Sequence, residues 1–109
     1  MTETEFLAAA EATLQAIELA LEATAIDVDC ERSGNVLTLV FEDGARAVIN
    51  TQAPMRQIWV AARSGAHHYA PREGAWVDTR DGTELFDALS RIVSALSRQP
   101  VLLKPRTAR

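Results

Sequence analysis

The chain of 109 residues has one cysteine, no long apolar run and no Lys or Arg among its first 31 residues. Because Cys30 is alone, no disulfide can form within the chain, and a reducing compartment is expected. The apolar runs are too short for a membrane span, and the acidic start is unlike the basic region of a signal peptide. We therefore expect a soluble protein of the cytoplasm, with no membrane partner.

The sequence also lacks the short patterns that mark common active sites. It has no glycine-rich phosphate loop, no paired-cysteine motif and no nucleophile elbow. It has no basic, aromatic surface of the kind that single-stranded nucleic acid prefers. These absences favour a binding or regulatory protein over an enzyme, and they give no support for a nucleic-acid partner.

Acidic residues are concentrated at the N-terminal end of the chain. The first 31 residues hold eight acids and no base, whereas the other 78 hold seven acids and eleven bases. The net charge of -4 is therefore the sum of about -8 and about +4 on two parts of a small chain. Such a charge dipole affects partner choice and steering, and it does not by itself determine the fold.

The spacing of apolar residues predicts a helix followed by about six short strands. In residues 4 to 22 the apolar side chains recur every three or four positions, as Phe6, Ala10, Leu14, Ile17 and Leu21. Short alternating runs between residues 26 and 79 are separated by turn signals and predict strands. Because the turns are short, neighbouring strands must be mostly antiparallel.

A second helix is predicted at residues 83 to 98, followed by a tail at 100 to 109. Asp81 and Glu84 have the spacing of a capping box, with Asp81 as the N-cap. At this length the chain forms one domain with one core. The predicted fold is α+β: a two-layer sandwich in which both terminal helices pack on one face of an antiparallel sheet.

The segment IDVDCE at residues 26 to 31 alternates acidic with apolar or small side chains, so its three acids share one face of a strand. A second group of acids lies along one flank of the first predicted helix. The two groups together are Glu11, Glu18, Glu22, Asp27, Asp29 and Glu31. We expect these carboxylates to have no basic partner within the chain. Cys30 has the opposite parity and is predicted to be a buried, unreactive residue.

Trp59 has the opposite parity to Ile58 and Val60, so we predict that it points away from the helices. A large aromatic residue on an open sheet face is typical of a protein-binding surface. The polar residues expected beside it are Asn50, Gln52 and Gln57. Alternatively, Trp59 packs across strands against Val77 or Tyr69, and the pattern does not decide between the two.

His67 and His68 are adjacent in a predicted strand and should point to opposite faces. They cannot then share one metal ion unless the strand has a bulge. We expect one histidine to be exposed and the other partly packed. A weak iron or heme contact by one of them is the alternative.

The order of elements and two segments of the sequence resemble the frataxin family, most closely its bacterial members. The segments are INTQAPMRQIWVAARSGAHHY at 49 to 69 and WVDTRDGTELFDAL at 76 to 89. The resemblance extends from about Glu5 to about Leu96. Its most specific part is the series Asn50, Gln52, Pro54, Gln57 and Trp59. Gly65 and Trp76 also stand at the places that the family pattern leads us to expect.

This resemblance implies two helices on one antiparallel sheet and weak binding of ferrous or ferric iron by an acidic ridge. Carried onto this chain, the acidic ridge is the set of metal-binding residues Glu11, Glu18, Glu22, Asp27, Asp29 and Glu31. The partner-binding surface is centred on Trp59, with Asn50, Gln52 and Gln57, and is called the Trp59 surface below. The resemblance also implies that Val101, Leu102 and Leu103 of the tail pack between the helices.

The resemblance further implies a function in iron-sulfur cluster assembly, as an iron-dependent regulator or iron donor to the cysteine desulfurase and its scaffold protein. A monomer is expected, with oligomers when iron is abundant. Carboxylate oxygens are hard ligands that suit iron, and exposed ligands without a rigid cage should bind it loosely. The alternatives are a pure adaptor of the desulfurase with incidental iron binding, or a weak ferroxidase.

Overall fold

The structure, a computed structural model, describes residues 1–105 and has two helices and six strands. The helices are α1 (Glu3–Glu22) and α2 (Leu85–Ser97). The strands are β1 (Val28–Ser33), β2 (Val36–Phe41), β3 (Arg46–Gln52), β4 (Gln57–Ala62), β5 (Gly65–Arg72) and β6 (Ala75–Asp78). Neither helix within the described range is long and apolar enough to cross a membrane.

The six strands form one antiparallel sheet in chain order, from β1 at one edge to β6 at the other. Burial alternates along the central strands, and Leu39, Ile49 and Val60 are fully enclosed on the helix side. The opposite side of the sheet, called the open face below, carries half-exposed side chains. The predicted two-layer α+β sandwich is therefore confirmed.

Helix α1 begins with a capping box, which apolar periodicity alone does not predict. The Thr2 hydroxyl accepts the Glu5 amide at 3.1 Å, and the Glu5 carboxylate accepts the Thr2 amide at 2.8 Å. Near the middle of α1, the Trp76 indole of β6 donates to the Thr13 hydroxyl at 2.8 Å. Trp76 also packs edge to face on Phe6, with ring centroids 5.8 Å apart. These contacts attach α1 to the β6 edge.

Helix α2 is capped by Glu84, so the prediction that Asp81 is its N-cap is wrong. The Glu84 carboxylate accepts the amides of Phe86 at 2.9 Å and Asp87 at 3.1 Å. Asp81 instead accepts the Thr83 amide at 2.9 Å and closes a turn before the helix. The reason is that Glu84 still forms a β-bridge with Val77, so the chain is extended at this point.

The described part of the tail runs along α2. The amides of Val101 and Leu103 donate to the hydroxyls of Ser94 and Ser90 at 2.9 and 2.8 Å. Leu103 is buried and Val101 is half-buried, as expected, but Leu102 is 68% exposed. The expectation that Leu102 packs between the helices is therefore wrong. Neighbouring side chains of an extended segment point in opposite directions, so Leu102 cannot pack on the same side as Val101 and Leu103. Residues 106 to 109 of the predicted tail lie outside the described residues.

Candidate functional site

The acidic ridge lies where α1 approaches the edge strand β1. Asp29 and Glu31 are exposed on β1, opposite Val40 and Thr38 of β2. Asp27 is exposed just before the strand. The remaining three carboxylates belong to α1, of which Glu18 is half-buried and the others exposed, namely Glu11, Glu18 and Glu22. The six acids therefore lie at the α1 and β1 edge of the molecule, where Asp29 and Glu31 point to the open face and the α1 acids lie on the helix side.

Arg32 corrects the expectation that the ridge has no basic partner. Its guanidinium forms an ion pair with Glu18, with Nη1 and Oε1 2.9 Å apart, and a second with Glu11. Arg32 also donates from Nε to the Gly34 carbonyl at 2.9 Å, which fixes the plane of its guanidinium group. Alternation along β1 explains the contact. Arg32 is two residues after Cys30, so both side chains point to the helix side of the sheet, where α1 lies.

The ridge is a spread of carboxylates and not a closed metal cage. Within residues 1–105 no three side chains of His, Cys, Asp or Glu lie close enough together to hold a metal ion. Carboxylates without a fixed coordination geometry can attract hard cations, but they select weakly between them. Glu22, Asp27, Asp29 and Glu31 have no ion-pair partner among the described residues, so their charge is the most available.

Cys30 is exposed, so the prediction that it is buried is wrong. It faces the α1 side at the sheet edge, where the helix only partly covers it. Partial desolvation, together with the negative charges of Glu18, Glu22 and Asp29, raises the pKa of this thiol to about 11. The thiol is therefore almost entirely protonated at neutral pH, which agrees with the prediction that it is unreactive.

The Trp59 surface lies on the open face, in the middle of the sheet. Asn50, Trp59 and His68 are cross-strand neighbours on β3, β4 and β5, so they form one row. The Trp59 indole donates to the Gln57 side-chain oxygen at 2.9 Å, and Gln52 donates to Asn50 at 3.4 Å. Trp59 is thus half-exposed within a frame of amide side chains.

His68 is the stacking partner of Trp59. The two rings are nearly parallel, at 11°, with centroids 4.2 Å apart. The alternative that Trp59 packs against Val77 or Tyr69 is therefore wrong. Tyr69 is buried on the helix side, and Val77 pairs with Ala70 one strand further along. The sequence contained the necessary signal, since the Ser64-Gly65 turn fixes the β4 to β5 register that places His68 opposite Trp59.

His67 lies on the helix side, where Nδ1 is 2.9 Å from Oδ2 of the buried Asp78. His68 is exposed on the open face. The two histidines therefore point to opposite faces, as predicted, and cannot bind the same metal ion. The apolar periodicity of the sequence does not predict Asp78 as a partner for either histidine.

Comparisons with known proteins agree over nearly the whole chain. Residues 1–99 match the family model of the frataxin-like domain. The iron-sulfur cluster assembly protein CyaY of Bordetella pertussis is 53% identical over 108 residues, covering 95% of this chain and 99% of that protein. CyaY of Paraburkholderia phymatum is 47% identical over 105 residues, covering 96% of this chain and all of that protein.

Solved structures agree with the fold. Frataxin from Psychromonas ingrahamii superposes with a TM-score of 0.87 at 37% identity, covering 93% of this chain and 96% of that one. A trimeric frataxin from the yeast Saccharomyces cerevisiae, complexed with ferrous iron, superposes with a TM-score of 0.63 at 32% identity. That match covers 89% of this chain and 86% of the yeast chain.

Proposed function

The chain belongs to the frataxin family, and on that premise we propose that it is an iron-binding protein of iron-sulfur cluster assembly. In this proposal it regulates, or supplies iron to, the cysteine desulfurase and its scaffold protein. The names of the bacterial relatives support the pathway, and the ferrous complex of yeast frataxin supports the metal. The protein acts in the cytoplasm as a monomer, and it forms oligomers only when iron is abundant.

The observation that carries the proposal is the separation of charge on the molecule. The ridge acids lie at the α1 and β1 edge, whereas Arg63, Arg72 and Arg80 are exposed at the far strands. Unpaired like charges on a small fold repel one another in the free protein, so a cation that binds the folded state should stabilise it. The ridge is therefore better suited to binding a cation or a basic partner surface than to stabilising this chain.

Iron is the cargo in this proposal and binds weakly, as ferrous or ferric ion. Hard carboxylate oxygens accept both states, with a preference for the ferric ion. The ligands proposed are Glu11, Glu18, Glu22, Asp27, Asp29 and Glu31. Weak binding follows from the dispersed and mostly exposed positions of these acids, because each ion must collect its ligands without a preformed geometry.

The Trp59 surface is proposed to contact the desulfurase and scaffold complex. Trp59 offers a rigid aromatic ring, and Asn50, Gln52 and Gln57 supply donors and acceptors around it, which is the composition of an interface hot spot. A pure adaptor would use the same surface with incidental iron binding. A weak ferroxidase activity is the less favoured alternative and is tested by measuring oxygen consumed per iron against a buffer blank.

An anaerobic ferrous titration followed by two-dimensional amide NMR tests the metal site. Broadening should be confined to residues 11 to 31 and their sheet neighbours. The double variant D29N/E31Q should weaken it, while the control E73Q/D87N changes the same number of exposed acids elsewhere and should not. Broadening centred on His67 and His68, or none at millimolar iron, would reject the ridge as the iron site.

Desulfurase turnover with and without iron distinguishes the regulator from the adaptor. Trp59→Ala should abolish the effect of the protein on the desulfurase, while Leu102→Ala, which shortens an exposed apolar side chain elsewhere, should retain it. Retention of the full effect by Trp59→Ala would reject the docking surface. An effect that is identical with and without iron would favour the adaptor.

A further inference from the structure

A cleft of about 440 Å³ lies between α2 and the β4 to β6 end of the sheet. It is on the helix side and is therefore separate from the Trp59 surface. Ala88, Arg91 and Ala95 of α2 line it, whereas the tail binds the helix through Ser90 and Ser94. The described part of the tail thus occupies a different flank of α2. The volume falls within the range of small-molecule sites, which is about 300 to 1,000 Å³.

The Tyr69 hydroxyl is the most informative group in this cleft. Its side chain is 1% exposed and lines the cleft, yet no hydrogen bond to the hydroxyl is found within residues 1–105. No fully enclosed side-chain oxygen or nitrogen in this range lacks a partner, so the Tyr69 oxygen must reach the accessible surface of the cleft. Buried phenols normally have a hydrogen-bond partner. A ligand in the cleft would supply it.

Two further groups make this end of the cleft rich in acceptors. His67 uses Nδ1 to bind Asp78, which leaves Nε2 as its free nitrogen and, in the neutral ring, as an acceptor. Asp81 also lines the cleft; its Oδ1 accepts the Thr83 amide at 2.9 Å, and the residue is exposed. Burial, together with the nearby charges of Asp78, Asp81 and Glu84, raises the pKa of the Tyr69 phenol to about 12, so the hydroxyl keeps its proton at neutral pH.

The rim of the cleft is cationic. Arg63 and Arg91 line it, are exposed and form no ion pair with any residue that the structure describes. A guanidinium presents a planar pair of donors that matches a carboxylate. The lining also includes the apolar side chains of Ala62, Ile92 and Leu96. The cleft thus combines acceptors, cations and apolar side chains.

We propose that this cleft binds a small zwitterion of the amino-acid type with a large apolar side chain. Its ammonium group meets His67, Asp81 and the Tyr69 hydroxyl, its carboxylate meets Arg91, and its side chain lies against Ile92 and Leu96. A simple amine would leave the arginines without a partner, and a simple carboxylate would face the acids. The proposal does not depend on iron binding or on the desulfurase.

Three matched probes test this assignment by amide NMR of the full chain. L-phenylalanine carries both charges, phenethylamine only the ammonium group and 3-phenylpropionate only the carboxylate. We expect L-phenylalanine to shift resonances of β5 and α2 around the cleft, with a Kd about tenfold lower than that of either other probe. No shift at about 10 mM, where a millimolar ligand is mostly bound, would overturn the proposal. Equal binding of a singly charged probe would overturn its zwitterion chemistry.

Two conservative variants test which residues meet which group. Tyr69→Phe keeps the ring and should weaken L-phenylalanine and phenethylamine several-fold. Arg91→Gln should weaken L-phenylalanine and 3-phenylpropionate but leave phenethylamine unchanged. Arg72→Gln removes an exposed arginine outside the cleft and should change none of them. If Arg91→Gln and Arg72→Gln weaken 3-phenylpropionate equally, its binding reflects net charge and the proposed carboxylate contact is wrong.

Discussion

Arg32 and Glu18 are joined by an ion pair of 2.9 Å that links β1 to α1, and the same guanidinium also pairs with Glu11. The first basic residue of the sequence therefore lies on the acidic ridge and neutralises part of it. Arg32 and Glu18 have side chains only 23% and 28% exposed, so their charges are less screened than those of a fully exposed pair. Any cation that uses Glu11 or Glu18 must compete with this guanidinium.

Arg32→Gln should therefore tighten the binding of ferrous ion to the ridge, by about tenfold for the removal of one nearby positive charge. Anaerobic titration calorimetry measures this change. Arg72→Gln makes the same charge change on β5, far from the ridge, and should have little effect. An affinity that is unchanged or weaker in Arg32→Gln would contradict competition by Arg32. Because the pairs are partly exposed, the variant should lose no more than about 1 kcal/mol of folding free energy.

The fold was largely predictable because the apolar residues of each element have one consistent period. Phe6, Leu14 and Ile17 lie on one helical stripe and are all buried, and the alternation at Ile58 and Val60 gives the correct sheet face. The helix start was less predictable. The sequence favours Asp81 as the N-cap with Glu84 three positions later, whereas the β-bridge from Val77 to Glu84 keeps the chain extended up to Glu84, which is the N-cap.

The sequence predicted where most of the site residues lie, but not which side chains they contact. Parity placed Trp59 on the open face, yet its stacking partner His68 depends on the register between two strands. Similarly, Arg32 is one residue beyond the acidic segment, and its pairing depends on how close α1 lies to β1. Cys30 is exposed because β1 is an edge strand, and a two-residue alternation cannot distinguish an edge strand from a central one.

Thr13→Val should destabilise the fold by about 1 to 3 kcal/mol, because it leaves the buried Trp76 indole without its acceptor. The Thr13 hydroxyl accepts the indole N–H at 2.8 Å, and Trp76 is 8% exposed. Urea denaturation measures the free energy of unfolding. Thr38→Val makes the same chemical change on the open face, where Thr38 has no side-chain hydrogen bond within residues 1–105, and should cost much less. Equal losses would contradict the role of the Thr13 contact.

Cys30 should react slowly with disulfide reagents although it is exposed. A thiol whose pKa is about 11 instead of 9.0 carries about a hundredfold less thiolate at neutral pH. Because it is the only cysteine, the reaction of the folded chain can be compared directly with that of the chain unfolded in urea. We expect the folded chain to react at least tenfold more slowly. The variants E18Q and E22Q should increase the rate at which the folded chain reacts, while the control E73Q should not. Equal rates in the folded and unfolded chains would contradict the raised pKa of Cys30.

Tyr69 should make the fold less stable in alkaline solution. Desolvation, with the nearby charge of Asp78, raises the pKa of the folded phenol from 10.0 to about 12. Between these values the unfolded chain loses the phenol proton and the folded chain keeps it. Stability that is fully present below pH 10 is therefore lost as the pH rises toward 12. The full loss is roughly 3 kcal/mol, since one pKa unit corresponds to about 1.4 kcal/mol.

Because Tyr69 is the only tyrosine, tyrosinate absorbance follows its ionisation directly, and urea denaturation at several pH values follows the stability. Tyr69→Phe is the matched control, since it keeps the buried ring and removes the titrating group. The difference in stability between the two proteins should be constant below pH 10 and should shift against wild type above it. Parallel pH profiles, or a folded phenol that ionises near 10.0, would show that the hydroxyl is fully solvated. That result would also remove the main support for a ligand site at the cleft.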